Sequence, residues 1–203
     1  MNILILVSGN GSNLQALIDA EKAGRIKGRV AAVVSDRAGV FALERAKKAG
    51  IPALVEEPDR RLPTEDRRRE LSDRITRIAG NYDAGLIVLA GFLSILRGNI
   101  ISGYSGRIIN LHPSLLPKYG GAGMYGEKVH RAVIEAAESE SGCTVHVVDE
   151  GTDTGPILIQ RKVPVLGGDT PESLAERIPA QEHAAIVDAV IMMEERLEKR
   201  LSD

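Results

Sequence analysis

The stretch IINLHPSLLPKYGGAG (108–123) sets Asn110 and His112 at the end of an apolar run. An imidazole can act as general acid or base near neutral pH, and a primary amide can donate N–H to an oxygen that is gaining negative charge. Together they suit direct acyl transfer between two bound substrates, with no Ser or Cys nucleophile. A single histidine in that role needs a carboxylate that favours its protonated form. The stretch DEGTDTGP (149–156) offers Asp149, Glu150 and Asp153, and residue chemistry alone leaves the choice among them open.

A second signal lies near the start, in SGNGSN (8–13). Gly9 and Gly11 let the backbone approach a ligand closely, and Ser12 and Asn13 open a helix whose N–H groups and dipole favour an anion. The loop therefore reads as a phosphate cradle. The dinucleotide fingerprint Gly-x-Gly-x-x-Gly is incomplete, because Leu14 stands at its third glycine, although Asp36 lies where a ribose-binding acid would fall. A plain turn with a Ser or Asn cap is the remaining reading. The four histidines, His112, His130, His146 and His183, do not pair with one another or with Cys143 at metal-ligand spacing, so no metal site is expected. His146, in a strand pattern, and His183, in a helix, read as hydrogen-bonded structural residues. His130 follows a glycine-rich segment, and residues 118–130 read as a loop that closes over substrate.

These residues need elements to hold them. Ile3–Val7, Val30–Val34, Ala53–Val55, GLIVLAGF (85–92) and GRIIN (106–110) are apolar runs of strand length. Between them Leu14, Leu17 and Ile18, then Phe41–Ala49, then Leu71, Ile75 and Ile78 mark amphipathic helices. Apolar strands alternating with helices mean a parallel sheet covered on both faces. After residue 140 the pattern changes: CTVHVV alternates and PILIQRKVPV is mixed, which predicts an antiparallel pair at the edge. A helix from about Pro171 to Leu201 closes the chain, with a kink expected at Pro179. The fold expected is an open, mostly parallel, Rossmann-like α/β sheet with a mixed C-terminal edge and helices on both faces. Ligands in such folds sit at the carboxyl ends of the strands.

Composition narrows the classes of function. With 26 basic and 28 acidic residues the net charge is -2, which gives no reason to invoke nucleic acid or an anionic membrane. No run approaches the roughly 20 apolar residues of a membrane span. The lone Cys143 cannot form an internal disulfide, so a cytoplasmic globular protein is expected. Residues 1–203 read as a single domain, with a phosphate-binding half (1–105) and a catalytic half (106–203).

SGNGSNLQALID (8–19), VLAGF (88–92), NLHPSLLPKY (110–119), VDEGTDTGPI (148–157) and QEH (181–183), in order and spacing, resemble the phosphoribosylglycinamide formyltransferases, within the wider formyltransferase-like group. The similarity runs from residue 1 to about 195. It implies transfer of a formyl group from 10-formyltetrahydrofolate to the amine of glycinamide ribonucleotide in purine synthesis, with these two small molecules as partners and the protein as monomer or homodimer. It implies that Gly11, Ser12 and Asn13 hold the substrate phosphate, that Glu182 contacts the ribonucleotide, and that Leu93, Ser94, Ile95 and Leu96, with Asn110, line the folate site. It implies catalytic roles for Asn110 and His112, with Asp153 the acid that raises the histidine pKa. The chain departs from the family pattern at Ser94 and Thr64, where basic residues are common; Arg67 or Arg68 are the neighbouring substitutes for the latter. Two rivals accompany this reading. One is a stand-alone formyltetrahydrofolate hydrolase, of a kind that normally carries an extra N-terminal domain; the other is a non-catalytic Rossmann-like module that binds a phosphorylated ligand.

Overall fold

A computed structural model describes residues 1–202. In chain order the elements are β1 (Asn2–Val7), α1 (Ser12–Lys22), β2 (Arg29–Ser35), α2 (Phe41–Lys48), β3 (Ala53–Val55), α3 (Thr64–Asn81), β4 (Ala84–Leu89), α4 (Asn99–Gly103), β5 (Ile108–His112), α5 (Glu127–Glu135), β6 (Glu140–Val147), β7 (Ile157–Pro164) and α6 (Pro171–Ser202). The seven strands form one sheet in the order β3-β2-β1-β4-β5-β6-β7. The first five pair parallel, and β6 and β7 add antiparallel. This is the expected mixed α/β sheet.

Burial explains why the strands read as apolar throughout. On β1, Ile3, Ile5 and Val7 face one layer with Leu14, Leu17 and Ile18 of α1 and Ile186 and Val190 of α6. Leu4 and Leu6 face the other layer, where Leu71, Ile75 and Ala79 of α3 meet Ile100 of α4. A strand covered on both faces has no solvent side to alternate with. The same holds for β6, whose Ser141–His146 are all buried. A smaller cluster, Val133, Val163, Leu174 and Ile178, seats α5 and the start of α6 at the antiparallel edge.

Two helices lie outside the sequence expectation. α4 has only five residues, too short for a helical period to register. α5 begins at Glu127, inside the stretch read as a loop through His130. Its buried stripe of Val129, His130 and Val133 overrides the glycines that precede it. The closing helix runs through Pro179 from Pro171 to Ser202.

The order of strands puts the topological switch between β1 and β4, where successive connections leave to opposite faces of the sheet. The loops at residues 8–13 and 90–98 therefore flank a natural crevice. Cys143 sits in the core below it. Burial pushes its thiol up to about 12, so a disulfide reagent such as dithionitrobenzoate should leave the folded protein unmodified at pH 8 and react on denaturation. Rapid reaction of the native protein would contradict the packing described here.

Candidate active site

A cavity of about 830 Å³ opens at the carboxyl ends of β1, β4 and β5. Asn13 lines it from the start of α1, and Gly91–Arg97 from the connection after β4. Asn110–Pro113, Gly121–Gly126, Gly151–Asp153 and Glu182 complete the wall, with His130 reaching in from α5.

Strand register assembles its centre. β5 runs antiparallel to β6 with Asn110 opposite His146 and His112 opposite Thr144, so Asn110 and His146 share one face as a cross-strand pair. Asn110 Nδ2 lies 3.1 Å from His146 Nε2 and 3.4 Å from Asp153 Oδ1. His112 Nδ1 faces Asp153 Oδ2 at 3.4 Å, and its Nε2–H donates to the Tyr119 carbonyl at 2.8 Å. His146 Nδ1 faces the Val147 carbonyl at 3.0 Å, and its Nε2 faces both Asn110 Nδ2 and, at 3.5 Å, Asp153 Oδ1.

Of the three acids offered by 149–156, Asp153 is the one that reaches the imidazole. Asp149 is turned to Gly151 N–H and the Thr154 hydroxyl within its own turn, and Glu150 is exposed. Asp153 adopts a left-handed backbone (φ 59°), a conformation that Asp tolerates better than most residues, and Gly121 N–H donates to its Oδ2 at 2.9 Å. The turn carrying His112 is fixed from below. Thr144 Oγ1 donates to the Ser114 carbonyl at 2.6 Å and accepts from Leu116 N–H at 3.0 Å, while Gln160 Nε2 donates to the Leu116 carbonyl at 2.8 Å.

Electrostatics qualify the expectation for His112. Burial, with only 3% of the residue exposed, pushes its pKa below the ordinary imidazole value. The Asp153 charge and the Tyr119 carbonyl pull upward, as the sequence reading required of Asp153, but do not outweigh desolvation. Burial pulls the Asp153 carboxyl up, yet His146, His112 and Gly121 N–H together carry it below its ordinary value, so it is ionised at neutral pH. Burial also raises Glu182, against a hydrogen bond from Asn13 Nδ2 to its Oε2 at 3.2 Å that ties α1 to α6.

The remaining predicted residues divide. Of Gly11, Ser12 and Asn13, only Asn13 lines the cavity itself; the other two stand next to it on the same loop. Leu93, Ser94, Ile95 and Leu96 all line it, although they precede residue 105 and so fall in the half expected to bind phosphate. The Ser94 hydroxyl is turned away to the buried Asp36 carboxylate at 2.7 Å, which leaves this segment to meet a ligand largely through its backbone. Thr64 is not in the lining, whereas Arg60, Arg67, Arg68 and Arg97 are, giving that end a basic wall. Nothing in the sequence marks Arg60, Arg97 or the proximity of His146 to Asn110. The signal for His146 was its odd position in CTVHVV, which points to Asn110 only once the two strands are known to pair.

Comparison with known proteins places the chain in a family. Residues 1–190 match the formyl transferase family. Phosphoribosylglycinamide formyltransferase of Escherichia coli (strain K12) is 45% identical over 184 residues, which cover 91% of this chain and 82% of that protein. The trifunctional purine biosynthetic protein adenosine-3 of Drosophila pseudoobscura pseudoobscura is 44% identical over 204 residues, but these span only 14% of its length. The crystal structure of glycinamide ribonucleotide transformylase 1 from Symbiobacterium toebii superposes with a TM-score of 0.86 at 40% identity, covering 96% of this chain and 88% of that one. A formyltetrahydrofolate deformylase from Pseudomonas syringae pv. tomato shares the fold (TM-score 0.84) at 23% identity, and this chain covers 62% of it.

Proposed function

The chain belongs to the formyl transferase family, and from that premise we propose that it transfers the formyl group of 10-formyltetrahydrofolate to the amine of N1-(5-phosphoribosyl)glycinamide in purine biosynthesis. The observation that carries this reading is the convergence of Asn110, His112 and Asp153 on one cavity. That cavity lies between a glycine-rich loop suited to phosphate and a backbone-lined, basic wall suited to a folate. Gly11, Ser12 and Asn13 are assigned to the phosphate and Glu182 to the ribonucleotide. Leu93–Leu96 are assigned to the pterin. The substrates are small molecules, and a cytoplasmic enzyme is proposed from the unpaired, buried Cys143; no described helix is long and apolar enough to cross a membrane.

The amine nitrogen attacks the formyl carbon, and the carbonyl π pair moves onto oxygen to give a tetrahedral oxyanion. Collapse breaks the bond to the folate N10; the amine nitrogen loses one proton in the course of the reaction and N10 gains one. Two donors serve the oxyanion. The Asn110 Nδ2 proton that makes the long 3.4 Å contact to Asp153 is the one it exchanges, keeping the shorter bond to His146. His112 Nε2–H exchanges the neutral Tyr119 carbonyl for the stronger charged acceptor. As negative charge grows on the formyl oxygen it offsets the desolvation that depresses His112. Protonation of the imidazole is thus favoured more in the transition state than before it, which is the condition for lowering a barrier.

The hydrolase reading would replace the amine with water. At 23% identity the deformylase likeness speaks to fold alone. The deciding measurement follows 10-formyltetrahydrofolate turnover with and without glycinamide ribonucleotide. Turnover that requires the ribonucleotide, with formylated product, is expected. Formate release indifferent to the ribonucleotide would favour hydrolysis, and calorimetric binding without turnover would favour a non-catalytic module.

A further inference from the structure

The cradle loop is held from behind by a residue that does not line the cavity. Arg45 of α2 donates from Nε to the Asn10 carbonyl at 2.9 Å, from Nη2 to Asn10 Oδ1 at 3.0 Å and from Nη1 to Gln15 Oε1 at 3.3 Å. Its guanidinium stacks over the Phe41 ring, 4.7 Å from the centroid, which fixes its direction. One step earlier in the loop, Ala42 N–H donates to the Gly9 carbonyl at 3.1 Å. Two successive loop peptides, Gly9–Asn10 and Asn10–Gly11, therefore have their carbonyls tied to α2. In a trans peptide the C=O and N–H point in opposite directions, so the Asn10 and Gly11 N–H groups are turned away from α2. No acceptor within the described residues meets either N–H. Donation to a carbonyl also polarises its own peptide, which strengthens the opposite N–H as a donor.

We propose that Arg45 is a positioning residue for the phosphorylated substrate: its fork clamps the loop to α2 and aims the loop's amides at the phosphate. This rests on the phosphate assignment made above. The Arg45 charge also reaches α6, where it adds to the effect of burial in lowering His183, the neighbour of Glu182. Lysine has the charge but cannot span three acceptors in a plane, so the clamp needs Arg.

The test compares Arg45→Met and Arg45→Lys with wild type in steady-state formyl transfer, with inorganic phosphate as the probe of the loop. The KM for the ribonucleotide should rise roughly tenfold in both variants, about the value of one hydrogen bond. The KM for the folate and kcat should stay within about twofold, and inhibition by phosphate, competitive with the ribonucleotide, should weaken by the same factor. A ribonucleotide KM within about twofold of wild type in Arg45→Met overturns the proposal, as does wild-type behaviour of Arg45→Lys or a parallel loss in both KM values and kcat. If phosphate does not compete with the ribonucleotide in wild type, the phosphate assignment falls and the clamp with it; if it competes equally well in wild type and Arg45→Met, only the clamp falls. Should Arg45→Met not fold, Gln15→Ala removes the Nη1 contact together with the exposed Gln15–Asp19 bond on α1, and Asp19→Ala removes the latter only: a rise of about threefold in the ribonucleotide KM in Gln15→Ala but not in Asp19→Ala supports the clamp, and no rise in Gln15→Ala overturns it.

Discussion

Replacing Asp153 by Asn is expected to lower kcat roughly 10²–10³-fold, while both KM values stay within a few-fold. The substitution keeps the shape and the left-handed backbone that Asn also tolerates, so the loop at φ 59° survives. What is lost is the negative charge 3.4 Å from His112 Nδ1, which is the main influence opposing desolvation of the imidazolium. The sign of the pH effect follows. The protonated form of His112 is the useful one, so kcat falls as pH rises through its pKa. Without Asp153 burial acts less opposed and the pKa moves further down. The alkaline limb of the kcat–pH profile should therefore shift to lower pH in Asp153→Asn. His112→Ala should lose a comparable factor, and the double variant should lose little more than either single one, because the two residues act as one unit. Wild-type kcat in Asp153→Asn, or a limb that stays in place, would remove Asp153 from the mechanism.

That unit shows how far the residues alone could lead. Asn110 and His112 are visible in sequence because they end an apolar run, and a strand end at the switch point is where ligands bind. Asp153 was one of three candidates, and no local pattern separates it from Asp149 or Glu150. The difference is made by a left-handed backbone at residue 153 and by Gly121 N–H, which comes from a loop distant in sequence. His146 shows where a correct local reading stops short. Its alternating context marks a hydrogen-bonded structural residue, and it is buried and hydrogen-bonded, but one of its partners is Asn110. Only the β5–β6 register could reveal that. The protonation balance at His112 was also beyond reach. Proximity of a carboxylate suggests a raised pKa, whereas burial, which depends on the full packing around the ring, sets the net direction downward. The sheet itself was easier, because apolar strands and helical stripes are local signals. The exceptions, α4 and α5, are a five-residue helix and a helix that follows a run of glycines.

A single methyl group on Gly11 should uncouple the two substrates. Gly11 has φ 77°, and an added Cβ would stand 2.6 Å from Ala42 Cβ and 2.8 Å from Ala42 Cα. The nearest atoms belong to the root of α2 and not to a side chain that could swing aside, so the loop has to lift. Lifting breaks the Gly9 and Asn10 carbonyl bonds to α2 and turns the amides away from the phosphate. The left-handed conformation adds about 1–2 kcal/mol for any residue with a Cβ. In Gly11→Ala the ribonucleotide KM is expected to rise roughly 10²-fold, the cost of losing two or three amide contacts to a dianion, with the folate KM unchanged. The melting temperature should fall by about 2–4 °C for each kcal/mol of strain. Gly9 offers the contrast, since a Cβ there meets nothing within 4 Å and its φ is ordinary, so Gly9→Ala should melt with the wild type. The pair Gly11→Ala/Ala42→Gly relieves part of the clash but not the strain. It opens the 2.6 Å Cβ contact but leaves Ala42 Cα at 2.8 Å and the strained φ, and it puts a glycine into α2, at about 1 kcal/mol, so a partial recovery of ribonucleotide binding is expected. Recovery of ribonucleotide binding without recovery of melting temperature would identify the clash with α2 as the element that orients the cradle. A Gly11→Ala protein with wild-type ribonucleotide KM would show instead that the loop does not hold the phosphate.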